Sequence, residues 1–218
     1  MRIPEYVQDD EPRGWGAHAA FGAAAAALLL GATLLLSSPE EAPGPPQPQT
    51  AQRQQPGTAP AESTARPLEP ARPLRVSVPA IGVDAPLVPV GLTPDGWIDT
   101  PPEDSPGVAG WYEGGVTPGT VGTAVIVGHV DDREGPAVFY GLGALVPGHG
   151  VEVAREDGRT ARFTVYDIAV YDKDAVPAHV YRDTGQPELR LITCGGSFDE
   201  AGGYSGNVVV FARLSGVE

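Results

Sequence analysis

The sequence contains very few of the lysines and cysteines on which many binding sites depend. Its 218 residues include one lysine, Lys173, and one cysteine, Cys194, and 28 acidic side chains outnumber 14 basic ones. Nucleic-acid sites need clustered basic residues, so a formal net charge of −14 argues against binding to a phosphate backbone. A single cysteine forms neither an intramolecular disulfide nor a cysteine-rich zinc site. The fold must therefore be stable without either.

Charged side chains are also missing from residues 15–36, which are dominated by Ala, Leu and Gly. A helix of about twenty residues is about 30 Å long, which matches the hydrocarbon core of a bilayer. We therefore predict a transmembrane helix at 15–36. The alternative is a cleavable signal peptide, but its apolar region is normally only about 7 to 15 residues long. Arg2 and Arg13 precede the helix and no basic residue follows it before Arg53, so residues 1–14 are predicted to be cytoplasmic and the rest extracellular.

The segment 37–73 contains ten of the 24 prolines and shows no apolar periodicity, which indicates a disordered, Pro-rich linker. Residues 74–218 have the size of a single domain. Short apolar or alternating runs recur in this domain between Pro- and Gly-containing turns, which favours an all-β barrel or sandwich with little helix. The predicted strands are 74–78, 83–90, 123–130, 151–155, 162–171, 189–194 and 207–214.

Three polar residues stand at the ends of predicted strands, namely His129, Cys194 and Arg213. A thiol needs a nearby base or cation to attack an amide, and an unpaired thiol outside the cell is exposed to oxidation unless it is sheltered or functional. The alternative for Cys194 is a small buried apolar residue at the end of a strand. Arg213 could donate hydrogen bonds to a developing oxyanion, or it could simply extend its charge to solvent at the strand end.

His129 is preferred to His149 and His179 as the base because it follows a short apolar strand core and precedes acidic residues. The acidic residues Asp131, Asp132 and Glu134 would suit a weak calcium site, but solvated loop charge is the preferred explanation. No metal and no cofactor are predicted.

The combination of Gly128-His129, the stretch 190–194 (RLITC) and Arg213 resembles the sortases, cysteine transpeptidases of Gram-positive surfaces. The sortase signature TLxTC is matched except that Arg190 replaces the first threonine. The stretches 106–112 (PGVAGWY) and 135–140 (GPAVFY) are similar to class F sortases of actinobacteria.

The resemblance implies an eight-stranded sortase barrel that recognises exported proteins with an LPXTG-like sorting signal. Cys194 would form a thioester with the signal, His129 would shuttle protons, Arg213 would hold the substrate and oxyanion, and Thr193 would contact the substrate. A lipid-linked peptidoglycan precursor would supply the accepting amine. Two alternatives remain. One is a cell-wall cysteine peptidase, and the other is a non-catalytic extracellular β-domain that only binds a partner and in which Cys194 is inert.

Overall fold

Eight β-strands form the framework of the protein in a computed structural model that describes residues 44–48 and 65–218. The first four strands are β1 (Pro73–Val78), β2 (Val83–Val90), β3 (Ala109–Tyr112) and β4 (Gly122–Val127). The last four are β5 (Gly150–Arg155), β6 (Thr160–Asp172), β7 (Pro187–Asp199) and β8 (Gly203–Val217). Short 3₁₀ turns occupy Pro79–Ile81, Tyr140–Ala144 and Ala178–Val180.

The strands close into a barrel in the order β1-β2-β3-β4-β7-β8-β6-β5. The expected all-β, eight-stranded barrel is thus confirmed. The strands β2 and β3 run parallel, as do β4 and β7, whereas the other neighbouring pairs are antiparallel. Because β4 and β7 are parallel, their carboxyl ends lie at the same rim of the barrel.

Seven of the eight strands correspond to the predicted ones, although β7 and β8 extend several residues beyond the predicted bounds. The hairpin of β5 and β6 turns at Gly158, whose φ of 79° suits glycine. The additional strand is β3, a four-residue segment followed by the tight turn of Gly114 and Gly115. This strand was not predicted, because four residues are too few for a clear alternating pattern.

Both faces of β4 and β7 are buried, which explains why these strands read as nearly continuous apolar runs. Inward side chains such as Ile126, Leu189 and Leu191 fill the barrel interior. Outward side chains form a second apolar cluster, which we call the outer cluster: Val90, Val125, Val127, Ala169, Tyr171, Val180, Ile192, Val209 and Phe211. Val180 belongs to the connection between β6 and β7, so this connection covers part of the outer face.

Residues 65–72, which the sequence analysis assigns to the linker, lie along the barrel. The Leu68 amide donates to the Gly119 carbonyl at 2.8 Å, and Arg155 donates to the carbonyl of Glu69. The predicted transmembrane segment and most of the predicted linker fall outside the described residues. Within 44–48 and 65–218, no helix has both the length and the apolar character required to cross a bilayer.

Candidate active site

The thiol of Cys194 lies on the outer face of β7, near the carboxyl end of its apolar run. Side chains alternate along a strand, so Cys194 shares a face with Ile192, a member of the outer cluster, whereas Leu191 points into the barrel. Cys194 is a half-buried free cysteine. It is therefore accessible from a cleft, and it is not sealed in the interior, as the reading of an inert apolar cysteine would require.

His129 is held beside Cys194 because β4 and β7 are neighbours. The pairing of Val127 with Ile192 continues beyond β4, since the Gly128 amide donates to the Ile192 carbonyl at 3.1 Å. His129 follows Val127 by two residues, as Cys194 follows Ile192, so it lies on the same face as Val127 and at the level of Cys194. The structure therefore brings these two side chains to one cleft.

Thr193 contributes to that alignment through its side chain. Its hydroxyl donates a 2.8 Å hydrogen bond to the Gly128 carbonyl, and Thr193 is buried. The bond ties the residue before Cys194 to the residue before His129. Since the hydroxyl proton is used within the protein, Thr193 is better placed to position the two groups than to donate to a substrate.

The imidazole of His129 is oriented by a backbone carbonyl. Its Nε2 lies 2.8 Å from the Pro101 oxygen, and a carbonyl only accepts, so Nε2 carries the proton. In a neutral ring Nδ1 is then the acceptor, which leaves it able to take a proton from a thiol.

These groups line a cleft of about 300 Å³ on the outer face of the barrel. The polar part of its wall comprises Thr100, His129, Lys173, Asp174, Thr193, Cys194 and Asn207. Aromatic and aliphatic side chains form the rest, among them Trp97, Ile98, Val176 and Tyr181. A concave apolar surface with a few converging polar groups is typical of a site that binds and transforms an organic substrate.

The thiol is not strongly activated in the free protein. Burial raises the pKa of Cys194 above the usual value for a thiol, Lys173 opposes this shift with its positive charge, and Asp131 adds to it. Cys194 is therefore mostly a protonated thiol at neutral pH, and a nucleophilic role requires a base in contact with it when substrate binds.

The acidic residues that follow His129 are engaged within the protein. Asp131 accepts a hydrogen bond from the Tyr204 hydroxyl, and Asp132 accepts from the amides of Glu134 and Gly135. No group of three or more His, Cys, Asp or Glu side chains among residues 44–48 and 65–218 is arranged to hold a metal ion.

The other two histidines of the described region are occupied elsewhere. His149 accepts a hydrogen bond from the Val146 amide through Nδ1, at 3.3 Å. His179 bonds to the Tyr171 hydroxyl at 3.1 Å and stacks on Phe211, where burial lowers its pKa. Neither residue lines the cleft that contains Cys194.

Arg213 was expected at this site, but it does not line the cleft, and the structure places it at the other rim. Arg213 pairs in register with Glu188, whereas Cys194 pairs with Asn207, six positions along β7. At about 3.4 Å per residue, Arg213 lies about 20 Å from Cys194. The reason is strand direction: β8 runs antiparallel to β7, so its carboxyl end lies at the opposite rim.

At that rim Arg213 is part of a buried ionic network. Its guanidinium donates to Glu188 at 2.7 Å, and Arg190 donates to the other oxygen of the same carboxylate. Glu188 and Arg190 are each 1% exposed. Burial opposes ionisation of Glu188, but the two guanidinium groups outweigh it and lower the pKa of the carboxyl group. Arg213 thus neutralises a buried charge.

We expect Arg213→Ala to lower stability and to leave the chemistry at Cys194 unchanged. A buried pair that loses one partner is destabilised by about 3–5 kcal/mol, and because Arg190 remains, we expect about 2 kcal/mol here. For a domain of this size the melting temperature should fall by about 4–8 °C. Thermal unfolding measures this, and iodoacetamide alkylation of Cys194 at a temperature where both proteins are folded is the control. A large loss of thiol reactivity without loss of stability would contradict this role.

Two polar residues of the cleft, Asn207 and Lys173, were missed from the sequence. Asn207 begins a predicted strand, but only the register between β7 and β8, which the sequence pattern does not fix, places it opposite Cys194. Lys173 follows β6, where its amide donates to the Ser205 carbonyl at 3.0 Å, so it reaches the site through the neighbouring strand β8.

Comparison with known proteins gives a family and a fold for this chain. A family profile described as Sortase domain matches residues 76–215. Among solved structures, sortase A from Corynebacterium diphtheriae is 20% identical with a TM-score of 0.53, and the match covers 71% of this chain and 64% of that one. Sortase A of Listeria monocytogenes is 17% identical with a TM-score of 0.52, covering 69% and 90%. Sortase C-1 from Actinomyces oris is 23% identical with a TM-score of 0.51, covering 68% and 76%. No curated protein has a significantly similar sequence.

Proposed function

The chain belongs to the sortase family, and from this premise we propose that it is a cysteine transpeptidase that cleaves an LPXTG-like sorting signal between Thr and Gly. The new carbonyl end is then joined to an amine of a cell-wall precursor. One observation carries the proposal: Cys194 and His129 stand side by side where the apolar runs of two parallel, hydrogen-bonded strands end, and both line one cleft.

The first half of the reaction forms a thioester. Sγ of Cys194 attacks the Thr carbonyl carbon of the signal while its proton passes to His129. The tetrahedral intermediate then collapses, the C–N bond to Gly breaks, and the protonated His129 gives its proton to the leaving amine. The amine leaves as a neutral group, and the acyl chain stays on sulfur.

The second half reverses these roles with a different amine. The incoming amine attacks the thioester carbonyl, His129 accepts its proton, and the C–S bond breaks to release Cys194. The proton then passes from His129 to the released thiolate, so the resting enzyme is restored. Water can replace the amine, in which case the product is a free carboxylic acid and the enzyme acts as a peptidase.

The apolar part of the cleft suits the apolar residues of such a signal. Trp97, Ile98 and Tyr181 also line a second depression, of about 370 Å³, which reaches Leu92 and Tyr112 on the same side of the barrel. An extended peptide bound across both depressions would place Leu and Pro side chains on aromatic surface while its Thr carbonyl lies at Cys194.

We assign the enzyme to class F on the stretches 106–112 and 135–140 and place it at the outer surface of the cell membrane. Residues 15–36 would be the single membrane anchor with residues 1–14 in the cytoplasm, and 37–73 would be the tether. This position brings the site to exported proteins and lipid-linked peptidoglycan precursors, its proposed partners.

The test is a product analysis with the full-length chain in detergent. We expect peptides containing LPXTG, varied at X, to be cleaved between Thr and Gly, and a second product to appear by mass when a primary amine such as a glycyl peptide is added. A thioester adduct on Cys194 should be detectable by intact mass before the amine is added. Hydrolysis without any amine transfer would favour a peptidase, and absence of both reactions over the whole panel would overturn the proposal.

A further inference from the structure

The site described so far has a nucleophile and a proton shuttle, but it has no assigned donor for the oxygen of the scissile carbonyl. Attack by sulfur turns that oxygen into an oxyanion, and hydrogen-bond donors aimed at it are usually the largest electrostatic contribution in acyl transfer. Arg213, the expected donor, is bound to Glu188 at the other rim. A different group must therefore meet the oxyanion.

We propose that the side-chain amide of Asn207 is this donor, with Nδ2–H directed to the carbonyl oxygen of the group attacked by Cys194. Asn207 is the residue paired directly with Cys194 between β7 and β8. Residues opposite each other in antiparallel strands have Cβ atoms about 4.5–5.5 Å apart. This is the spacing at which one side chain can contact the oxygen of an acyl group carried by the other.

Alternation along β8 directs Asn207 to the correct face. Val209 and Phe211 belong to the outer cluster, whereas Val208 and Val210 fill the barrel interior. Asn207 shares the parity of Val209, so its side chain projects outward beside the thiol. It lines the same cleft as Cys194 and His129.

The order of the strands places the proton shuttle and the proposed oxyanion donor on opposite sides of the nucleophile. Because β7 lies between β4 and β8, Cys194 has His129 on one side and Asn207 on the other. A carbonyl held above the thiol can then exchange protons with the imidazole on one side while its oxygen turns to the amide on the other.

The amide of Asn207 is available and well anchored. None of the hydrogen bonds among the described residues uses the Asn207 side chain, although the residue is half-buried. Its backbone is fixed on both sides, because Asn207 also pairs with Tyr171 of β6. A donor on a central strand needs little reorganisation when charge develops, which is the condition for effective oxyanion stabilisation.

Lys173 is less suited to this role. Its side chain is exposed, and it lies in the loop after β6. The strand β6 is separated from β7 by β8, so Lys173 is not on a strand next to the nucleophile. A hydrated ammonium on a flexible stem attracts an anion without fixing its position. Lys173 therefore favours ionisation of the thiol, whereas Asn207 holds the oxygen of the scissile carbonyl in position.

This inference rests on the proposed transpeptidase only for its natural substrate, so the experiment compares two small reagents that need no sorting signal. Acylation of Cys194 by p-nitrophenyl acetate passes through a tetrahedral oxyanion, whereas alkylation by iodoacetamide displaces iodide directly and forms none. Both reactions use the same thiolate, so the ratio of their rates cancels changes in thiol ionisation.

We expect Asn207→Ala, in the full-length chain, to lower this ratio by at least ~10-fold, and to lower kcat/KM for a cleaved sorting peptide by about 10²–10³-fold. Asn207→Asp is nearly isosteric and lacks the donor, so the ratio should fall with it as well. Asn207→Gln, which keeps an amide, should retain more of the ratio than Ala. Ser215→Ala, on the same strand at the other end, is the matched control and should leave the ratio unchanged.

Preserved alkylation in the Asn207 variants establishes that the cleft is intact. A ratio equal to that of the parent protein in both Asn207→Ala and Asn207→Asp would overturn the inference. If the parent protein cleaves no sorting peptide but the Asn207 variants still show the lower ratio, the proposed function is overturned and the role of Asn207 is supported.

Discussion

Replacement of Cys194 by alanine is expected to abolish both cleavage of a sorting peptide and transfer to an amine. Both half-reactions proceed through a bond to sulfur, so without it no thioester forms and the accepting amine has nothing to attack. Removal of the nucleophile of an acyl-transfer enzyme typically costs a factor of ~10⁶ in kcat. The measurement is product mass after long incubation, with intact protein mass as the record of the acyl-enzyme.

The half-buried position of Cys194 makes the substitution easy to interpret. The side chain fills little volume, and the hydrogen bonds of β7 to β4 and β8 use the backbone, so Cys194→Ala should melt close to the parent temperature. Cys194→Ser gives a second, nearly isosteric variant with a much weaker nucleophile. Unchanged peptide cleavage by either variant would show that the thiol is not the nucleophile and would overturn the thioester mechanism.

Strand direction explains which parts of the site were predictable from the sequence. Apolar runs that end in a polar residue pointed to His129 and Cys194, and these two lie together because β4 and β7 are parallel and their apolar runs end at the same level. The same rule failed for Arg213, because β8 is antiparallel to β7. A strand-end pattern contains no information on the direction of the strand, so it cannot choose between the two rims.

The fold was more predictable than the site because burial on two faces leaves a strong signal. The long strands β6, β7 and β8 are rich in β-branched and aromatic residues, whereas β3 is short and was not predicted. The role of Asn207 could not be foreseen for a different reason. It depends on the register across the β7–β8 hairpin, where a bulge between Gly195 and Phe198 prevents simple counting back from the turn.

His129→Ala is expected to reduce kcat/KM for the sorting peptide by about 10²–10⁴-fold, the usual contribution of a general acid and base. The loss has two parts. Burial raises the pKa of Cys194, so without His129 little thiolate is present at neutral pH. In addition, the Gly amine must leave without a proton donor.

The loss of thiolate and the loss of the proton donor respond differently to pH, so a pH series distinguishes them. As pH rises toward the thiol pKa, Cys194 ionises without assistance, so alkylation of His129→Ala by iodoacetamide should increase steadily and approach that of the parent protein. Peptide cleavage should remain low over the same range, because alkaline solution supplies no acid for the leaving amine. A single measurement at neutral pH would not distinguish the two functions of the imidazole.

His149→Ala is the matched control, since His149 is partly exposed, accepts its hydrogen bond from the Val146 amide and does not line the cleft. It should cleave and transfer at the parent rate. If His149→Ala were as damaging as His129→Ala while both variants remained folded, the assignment of His129 would be wrong. Recovery of full peptide cleavage by His129→Ala at high pH would show instead that His129 acts only as the base, and that another group protonates the leaving amine.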